Sequence, residues 1–206
     1  MTAGIRHWCI IRNGLLLKDG ENVMQVEGEK GIALLAAAYR HLGLSYPKFF
    51  KMDALSKAGI IASEILLSEE KDRFVPREDC AVVLFSRHGC EADDIHYRQT
   101  ITDADYFPSP ALFVYTLPNV VTGEIAIRNL FRGESSAYVL SKFDPEEIVR
   151  VTKESFEDPL TRTMIAGWID CPDDDNVDAL VFLLEKEGEG EEFSSEAIQR
   201  ISINYK

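Results

Sequence analysis

The sequence predicts a layered α/β domain with a mixed, largely parallel central sheet of about five strands. Residues 80–86, 163–169 and 179–185 are continuous apolar runs, the pattern of strands that are buried on both faces. Helix-forming stretches lie between the apolar runs, which is the element order of layered α/β proteins. An Asp-Pro-Glu-Glu run at Asp144–Glu147 combines a cap, a first-turn proline and a glutamate, so a helix is predicted to begin there.

The first half of the chain is predicted to hold a hairpin and two helices. Residues 7–12 and Leu15–Leu17 are short apolar strands separated by an Asn-Gly turn signal. Residues 28–42 are rich in Ala and Leu and are followed by a glycine, which predicts a buried helix. Residues 52–67 carry apolar or small side chains at helical spacing, and Gly59 on that face permits close packing against another helix.

The second half is predicted to continue with a broken helix at 110–131, where prolines interrupt the chain. A short strand follows at 136–141. The helix that starts in the Asp-Pro-Glu-Glu run is expected to end near Phe156. A last strand is expected at 198–204.

Charge is distributed unevenly along the 206 residues, which carry a formal net charge of −13. Residues 144–206 hold 17 acidic and 6 basic residues, whereas residues 1–143 are nearly balanced. Nucleic acids and anionic membranes bind through Lys and Arg, so this balance excludes both as partners. The sequence contains no repeat or linker, and we expect one domain over 1–206 with an acidic part at 170–206.

The cysteine pattern gives no sign of disulfides, zinc or another cofactor. The four cysteines are Cys9, Cys80, Cys90 and Cys171. All but Cys90 lie in or beside apolar runs, where a free cysteine acts as a small core residue. No Cys/His quartet has zinc-ligand spacing. The sequence has no signal-peptide pattern and no apolar run of ~20 residues, so we expect a cytoplasmic protein.

The sequence lacks the common catalytic and nucleotide-binding motifs. It has no P-loop, no G-x-G-x-x-G after a strand, no H-E-x-x-H and no G-x-S-x-G. His88 and His96 lie near Cys90 and two aspartates. A Cys90/His96 nucleophile pair or a His/Asp metal site therefore stands as an alternative to a solvated loop. Asp173–Asp175 lacks the spacing of a calcium loop and is predicted to be a solvated turn.

The segment Ser109–Lys142 resembles the β-ketoacyl-acyl carrier protein synthases of the thiolase-like fold. The Ser-Pro at 109–110, Asn119, Gly123 and the Arg-Gly at 132–133 fall at the family's spacing without a gap. Four further segments resemble the family's motifs in the same order, and the match covers roughly residues 50–187; they are 51–57, 81–89, 164–167 and 179–185. The resemblance implies the N-terminal half of a thiolase-like fold.

The resemblance places Lys142 where the family has its catalytic cysteine. In the family that cysteine lies at the N-terminus of a helix, whose dipole favours the thiolate. A lysine cannot form the acyl thioester, and the family's catalytic histidines belong to a second half that this sequence does not contain. We therefore expect no condensing activity and no catalytic residue of the family type.

The resemblance also implies candidate pocket and interface residues. In the family, the region that corresponds to 109–123 crosses the dimer interface and lines the acyl tunnel. Leu112, Phe113 and Thr116 are thus candidates for an apolar pocket or an interface, with an ordinary core role as the alternative. Asn119 and Gly123 are candidates for setting backbone geometry there.

Three functions follow as hypotheses. The first is a non-catalytic accessory or chain-length-type subunit of fatty-acid or polyketide-like biosynthesis, since small relatives of this half occur beside aryl-polyene pathways. It would pair with itself or with a full-length synthase through strand 136–141. The second is an acyl-transferring or hydrolysing enzyme that uses Cys90 or Lys142. The third is an acyl-carrier docking module with a local basic surface, formed by Arg73, Arg77, Arg87 and Arg98.

Overall fold

The computed structural model describes residues 2–101 and 108–205. The strands are β1 (Ala3–Arg12), β2 (Leu15–Lys18), β3 (Glu21–Gln25), β4 (Cys80–Ser86), β5 (Ser135–Val139), β6 (Thr163–Asp173), β7 (Asn176–Lys186) and β8 (Glu191–Glu192). The helices are α1 (Gly31–His41), α2 (Ala54–Leu66), α3 (Glu91–Gln99), α4 (Pro110–Val114), α5 (Val120–Asn129), α6 (Pro145–Ser155) and α7 (Ser195–Asn204), with a 3₁₀ helix at Pro47–Lys51.

The strands form one mixed sheet in the order β3-β2-β1-β7-β6-β4-β5, and β8 pairs with β1. The mixed α/β class is therefore confirmed. The described part of the chain contributes eight strands to the sheet rather than about five, and parallel pairing is confined to β4 with its neighbours β5 and β6. The other pairs are antiparallel. Tight turns join β1 to β2, β2 to β3 and β6 to β7, and such turns allow only antiparallel pairing, whereas parallel strands need a long crossover.

Helices cover both faces of the sheet. One face packs against α1, α2 and α5, and the other packs against α6 and α7. Every residue of α2 is buried, which makes it the most enclosed helix of the described chain. Gly59 of α2 touches Val121 of α5 so closely that a Cβ would overlap the valine, as the helical spacing of small residues predicted.

Most element boundaries follow the local sequence signals. The apolar run 80–86 is strand β4, and the broken helix expected at 110–131 is present as α4 and α5. Asp144 accepts a hydrogen bond from Glu147 N at 3.3 Å and caps α6 as predicted. The structure adds α3 at Glu91–Gln99, in a segment for which a solvated loop was expected.

The strand expected at 198–204 is wrong, because these residues belong to α7. Ser194 caps that helix by accepting a hydrogen bond from Ala197 N at 3.2 Å. Ala197, Ile198 and Ile201 are buried together, which is helical rather than alternating spacing. Arg12 of β1 donates to the carbonyl oxygens of Ser202 and Tyr205 at 3.2 and 3.4 Å, so it satisfies groups that the helix end leaves open.

Candidate functional site

The carboxyl ends of β4, β5 and β6 meet at one edge of the sheet. Such edges are where α/β proteins place their ligands. Ser86 ends β4, Lys142 lies three residues beyond β5, and Asp170 lies near the end of β6. The start of α6 follows directly after Lys142. This carboxyl edge of the sheet is therefore the candidate functional site.

Asp170 fixes the turn that follows β4. Its Oδ1 accepts hydrogen bonds from Ser86 Oγ at 2.9 Å, Arg87 N at 3.0 Å and His88 N at 2.9 Å. Its Oδ2 lies 2.8 Å from His88 Nδ1. Ser86 Oγ in turn accepts from Gly89 N at 2.9 Å. Burial alone would raise the pKa of Asp170, but the hydrogen bonds from His88, Ser86 and Arg87 outweigh it and lower the pKa.

This arrangement is a structural clamp rather than a catalytic relay. In a Ser-His-Asp triad the serine hydroxyl bonds to the histidine, which removes its proton. Here Ser86 Oγ donates to the carboxylate instead, and both carboxylate oxygens are engaged by the turn. The carboxylate thus orients His88 and holds the backbone of 86–89 in place.

Lys142 is on the surface at the position that the resemblance assigns to the nucleophile. Its side chain is 75% exposed, and its Nζ lies 4.0 Å from Asp144 Oδ2. Asp144 occupies the cap of α6, so the helix start already has a carboxylate partner. The exposed ammonium is not desolvated, which is the usual way to make a lysine nucleophilic. Lys142 is therefore poorly suited to form a Schiff base, and a lysine side chain cannot form an acyl thioester.

Cys90 is unsuited to nucleophilic catalysis. It is buried, and burial, followed by the negative charges of Asp53 and Asp93, raises its thiol pKa. His96 Nε2 faces Asp174 Oδ2 at 3.6 Å, so the structure pairs this histidine with a carboxylate rather than with Cys90. No group of three His, Cys, Asp or Glu side chains within 2–101 and 108–205 could hold a metal ion.

The residues expected to form a pocket or interface lie in and around α4. Leu112 and Phe113 lie on α4, and Thr116 lies in the connection from α4 to α5. Leu112 and Thr116 are partly buried, and Thr116 Oγ1 donates to the carbonyl oxygen of Phe113 at 2.8 Å. Phe113 is 51% exposed and contacts Tyr97 of α3, with ring centroids 5.4 Å apart. The role predicted for these residues stays a prediction.

The two backbone candidates lie at the start of α5. Asn119 precedes the helix, and its carbonyl oxygen accepts a hydrogen bond from Thr122 Oγ1 at 2.8 Å. A Cβ at Gly123 would meet no atom of the described chain within 4 Å. Close approach at Gly123 would therefore have to come from another molecule, and this role also stays a prediction.

A very small apolar pocket, with a cavity volume of about 10 Å³, lies beside the end of β5. Its wall combines residues of α2, β4, β5, β6 and the start of α5, among them Leu55, Leu84, Pro118, Val121, Tyr138, Val139 and Ile169. The lining residues are different from the expected Leu112, Phe113 and Thr116. Sequence reasoning missed them because they come from five separate elements, although Pro118 and the apolar residues of β5 were visible signals.

Strand β5 is an edge of the sheet and carries exposed apolar side chains. It pairs with β4 on one side only. Val139 is 57% exposed and Tyr138 is 37% exposed. We call the exposed apolar surface of this edge strand the β5 patch; it consists of Tyr138 and Val139. Bare edges of this kind are rare on isolated domains because they invite pairing with another chain.

Comparison of the fold with solved structures identifies its type. The chain matches "The ishigamide ketosynthase/chain length factor" with a TM-score of 0.64 and 17% identity, covering 93% of this chain and 64% of that chain. It also matches a ketosynthase, ApeO, in complex with its chain length factor, ApeC, from Xenorhabdus doucetiae, with a TM-score of 0.56 and 16% identity; the match covers 90% of this chain and 79% of that one.

The chain has a ketosynthase-like fold. A third similar structure, of a type II polyketide synthase acyl-carrier protein in complex with its ketosynthase, gives a TM-score of 0.58 at 12% identity and covers 97% of this chain and 64% of that chain. The chain thus spans slightly less than two thirds of the first of these relatives. No protein-family model matches the sequence, and no curated protein matches it.

The likeness confirms the thiolase-like fold that the sequence resemblance implied. Within the described residues, no helix is long and apolar enough to span a membrane.

Proposed function

We propose that this protein is a non-catalytic subunit of the chain-length-factor type, which pairs with a ketosynthase through strand β5. The observation that carries the proposal is the β5 patch, an edge strand with exposed apolar side chains. An antiparallel strand from a partner would satisfy the outward-facing backbone groups of β5 and cover Tyr138 and Val139 together.

A non-catalytic role is supported by the chemistry of the site. The position that the sequence resemblance assigns to the family nucleophile holds an exposed lysine, and Cys90 is a buried thiol with a raised pKa. The Asp170 carboxylate is engaged in holding a turn. These residues favour a structural role for the carboxyl edge, and they argue against the alternative of an acyl-transferring or hydrolysing enzyme.

A ketosynthase is the proposed partner, rather than a second copy of this chain. Two of the similar structures are of a ketosynthase and a chain length factor, and one of these is a complex of the two. We propose that the ketosynthase supplies the chemistry and that this chain supplies a wall. The apolar pocket lined by Tyr138 and Val139 lies at the proposed contact. It would offer that wall to an acyl chain of fatty-acid or polyketide type.

An acyl-carrier docking role has less support. Carrier proteins are acidic and meet basic surfaces. Arg73 lies 2.9 Å from Glu64, and Arg77 lies 2.9 Å from Asp79, so both guanidinium groups already have carboxylate partners. Only Arg87 and Arg98 of the expected basic surface are exposed.

The test is co-expression of the full chain with a ketosynthase from the same genome, followed by size-exclusion chromatography with light scattering. We expect a 1:1 complex that Val139→Lys abolishes, because the lysine would place a charge in the contact. Ile203→Lys is the matched control, since Ile203 is equally exposed but lies on α7. A complex that survives Val139→Lys, or a dimer of this chain alone, would contradict the proposal.

A further inference from the structure

Two large apolar residues hold strained backbone on the surface of the protein. Phe74, between α2 and β4, has a φ of +63°, and Leu130, directly after α5, has a φ of +58°. This left-handed region favours glycine, and a bulky side chain there costs free energy. Phe74 is 47% exposed and Leu130 is 41% exposed, so neither side chain offsets that cost by full burial within the described chain. The strain therefore points to a role for the two side chains outside the isolated fold.

The two strained residues lie side by side. Arg77 N donates to the carbonyl oxygen of Leu130 at 3.0 Å, which lays the chain that follows Phe74 along the end of α5. The guanidinium carbon of Arg128 lies 4.8 Å from the centroid of the Phe74 ring. Two further exposed apolar residues are their neighbours in the sequence. We call the exposed apolar surface at this place the α5-end patch; it consists of Phe74, Val75, Ile127 and Leu130.

The Phe74 ring is held in one position. The guanidinium carbons of Arg73 and Arg128 lie 4.7 and 4.8 Å from its centroid, within the range of cation–π contacts. Both guanidinium groups are themselves fixed by the buried carboxylate of Glu64, at 2.9 and 2.8 Å. A ring that is already fixed loses little conformational freedom when a partner covers it. Phe74 therefore has the properties of a preorganised aromatic anchor.

The charges beside the patch indicate the chemistry of the surface that would cover it. Arg73 and Arg128 share the single carboxylate of Glu64, and in residues 2–101 and 108–205 no second carboxylate lies within 4 Å of either guanidinium group. One positive charge is thus left without a close partner. A surface that fits the α5-end patch therefore presents apolar side chains around a carboxylate.

The β5 patch alone offers too little surface for a stable interface. A specific protein–protein contact buries about 800 Å² on each partner, whereas a whole aromatic side chain offers about 150–250 Å². Tyr138 and Val139 are only partly exposed, so other residues must contribute. Helix α5 lies against β5, where Ser135 Oγ donates to Thr122 Oγ1 at 2.8 Å, and Leu130 shortly precedes β5 in the chain. A partner that pairs along β5 therefore has the α5-end patch beside the amino end of its contact.

We propose that the α5-end patch is a second contact of the ketosynthase partner, which covers it with apolar side chains around a carboxylate. The inference rests on the proposed function, because it takes the ketosynthase as the partner and β5 as the first contact. The strain at Phe74 and Leu130 is retained because both side chains are buried in the complex. Stability and binding therefore favour different residues at position 130: glycine suits the free chain, and leucine suits the complex.

The test compares stability and binding in the same variant. Leu130→Gly removes the side chain and relieves the left-handed backbone, so the free chain should unfold at a higher urea concentration than the wild type. Its dissociation constant for a ketosynthase from the same genome, measured by isothermal titration calorimetry, should rise about tenfold, because the contact loses a buried leucine side chain. Opposite effects on stability and binding distinguish a contact residue from a structural one.

A second variant tests the patch without changing a strained residue. Ile127→Ala replaces an exposed side chain of α5 by a good helix former, so the free chain should be at least as stable as the wild type. Its dissociation constant should also rise about tenfold. Ile203→Ala is the matched control, since it removes the same atoms from a similarly exposed site on α7 and should bind as the wild type does.

The outcomes separate this inference from the proposed function. If Val139→Lys abolishes the complex but Leu130→Gly and Ile127→Ala bind as tightly as the wild type, the inference is overturned while the proposed function stands. A Leu130→Gly chain that is less stable than the wild type would also overturn it, since the strain would then not be relieved. If the wild type forms no complex, or if the complex survives Val139→Lys, the proposed function fails and this inference fails with it.

Discussion

Gly59 of α2 and Val121 of α5 are packed with no room for a side-chain carbon between them. A Cβ on Gly59 would overlap Val121 Cγ2 and would lie 3.1 Å from Ile125 Cδ1. Val121 is β-branched and is fixed in one rotamer by its own helix, so it cannot easily move aside. This contact brings α5 onto the central helix, and α5 in turn lies against the edge strand β5.

Gly59→Val should therefore destabilise the protein by about 2 kcal/mol, since overpacking a tight contact outweighs the gain in helix propensity. Chemical denaturation monitored by circular dichroism measures the change. The matched control is Gly123→Ala in α5, where a new Cβ meets nothing in the described chain. That variant should be stabilised by up to ~1 kcal/mol. Equal effects at the two glycines would contradict the packing argument.

Glu64 of α2 is a buried carboxylate held by two guanidinium groups. Arg73 lies 2.9 Å and Arg128 lies 2.8 Å from its oxygens. Glu64→Gln should destabilise the protein by about 3 kcal/mol, because both arginines lose the negative charge that balances them in a buried site. Equilibrium unfolding in urea measures this loss.

The control for that measurement is Glu147→Gln on α6, where the carboxylate also faces an arginine but in water. Exposed pairs contribute little, so its unfolding midpoint should match the wild type. If Glu147→Gln lost as much stability as Glu64→Gln, burial would not be the cause of the loss at Glu64.

The cysteines should resist thiol reagents in the folded protein. All four are buried, and burial is the main cause of the raised pKa of each; that of Cys80 rises to about 12. Labelling with a thiol reagent at pH 8 should be about a hundredfold slower than in denaturant, where all four react. Rapid modification of Cys90 in the native state would revive the hypothesis of a cysteine nucleophile.

Sequence reasoning succeeded where the deciding interaction is local. The cap at Asp144 lies within four residues of its hydrogen-bond partner, and the contact at Gly59 follows from the spacing of small residues on one helix. It failed at 198–204, where a short apolar stretch fits a strand or a helix, and the cap at Ser194 was the missed signal. The site was the hardest to predict.

The candidate site was hard to predict because its contacts join residues that lie far apart in the sequence. The clamp joins Ser86 to Asp170, which is 84 residues away, and the apolar pocket draws its wall from five elements. Neither spacing nor periodicity encodes such contacts. The resemblance to ketosynthases supplied the fold and the position of Lys142, but it could not indicate that the lysine is exposed.

Removing the Asp170 side chain should destabilise the protein by about 3 kcal/mol, because Ser86 Oγ, Arg87 N and His88 N would lose their shared acceptor in a buried turn. Asp170→Asn should lower the stability less than Asp170→Ala does, since the asparagine amide oxygen can still accept these bonds.

The pKa of Asp170 is lowered in the folded state, so the stability that its carboxylate contributes is present above about pH 4 and is lost as the pH falls through the folded pKa. Urea unfolding of the wild type and both variants at pH 7 and pH 3 measures this: the difference between wild type and Asp170→Asn should shrink at pH 3, and a difference that grows there would refute the clamp.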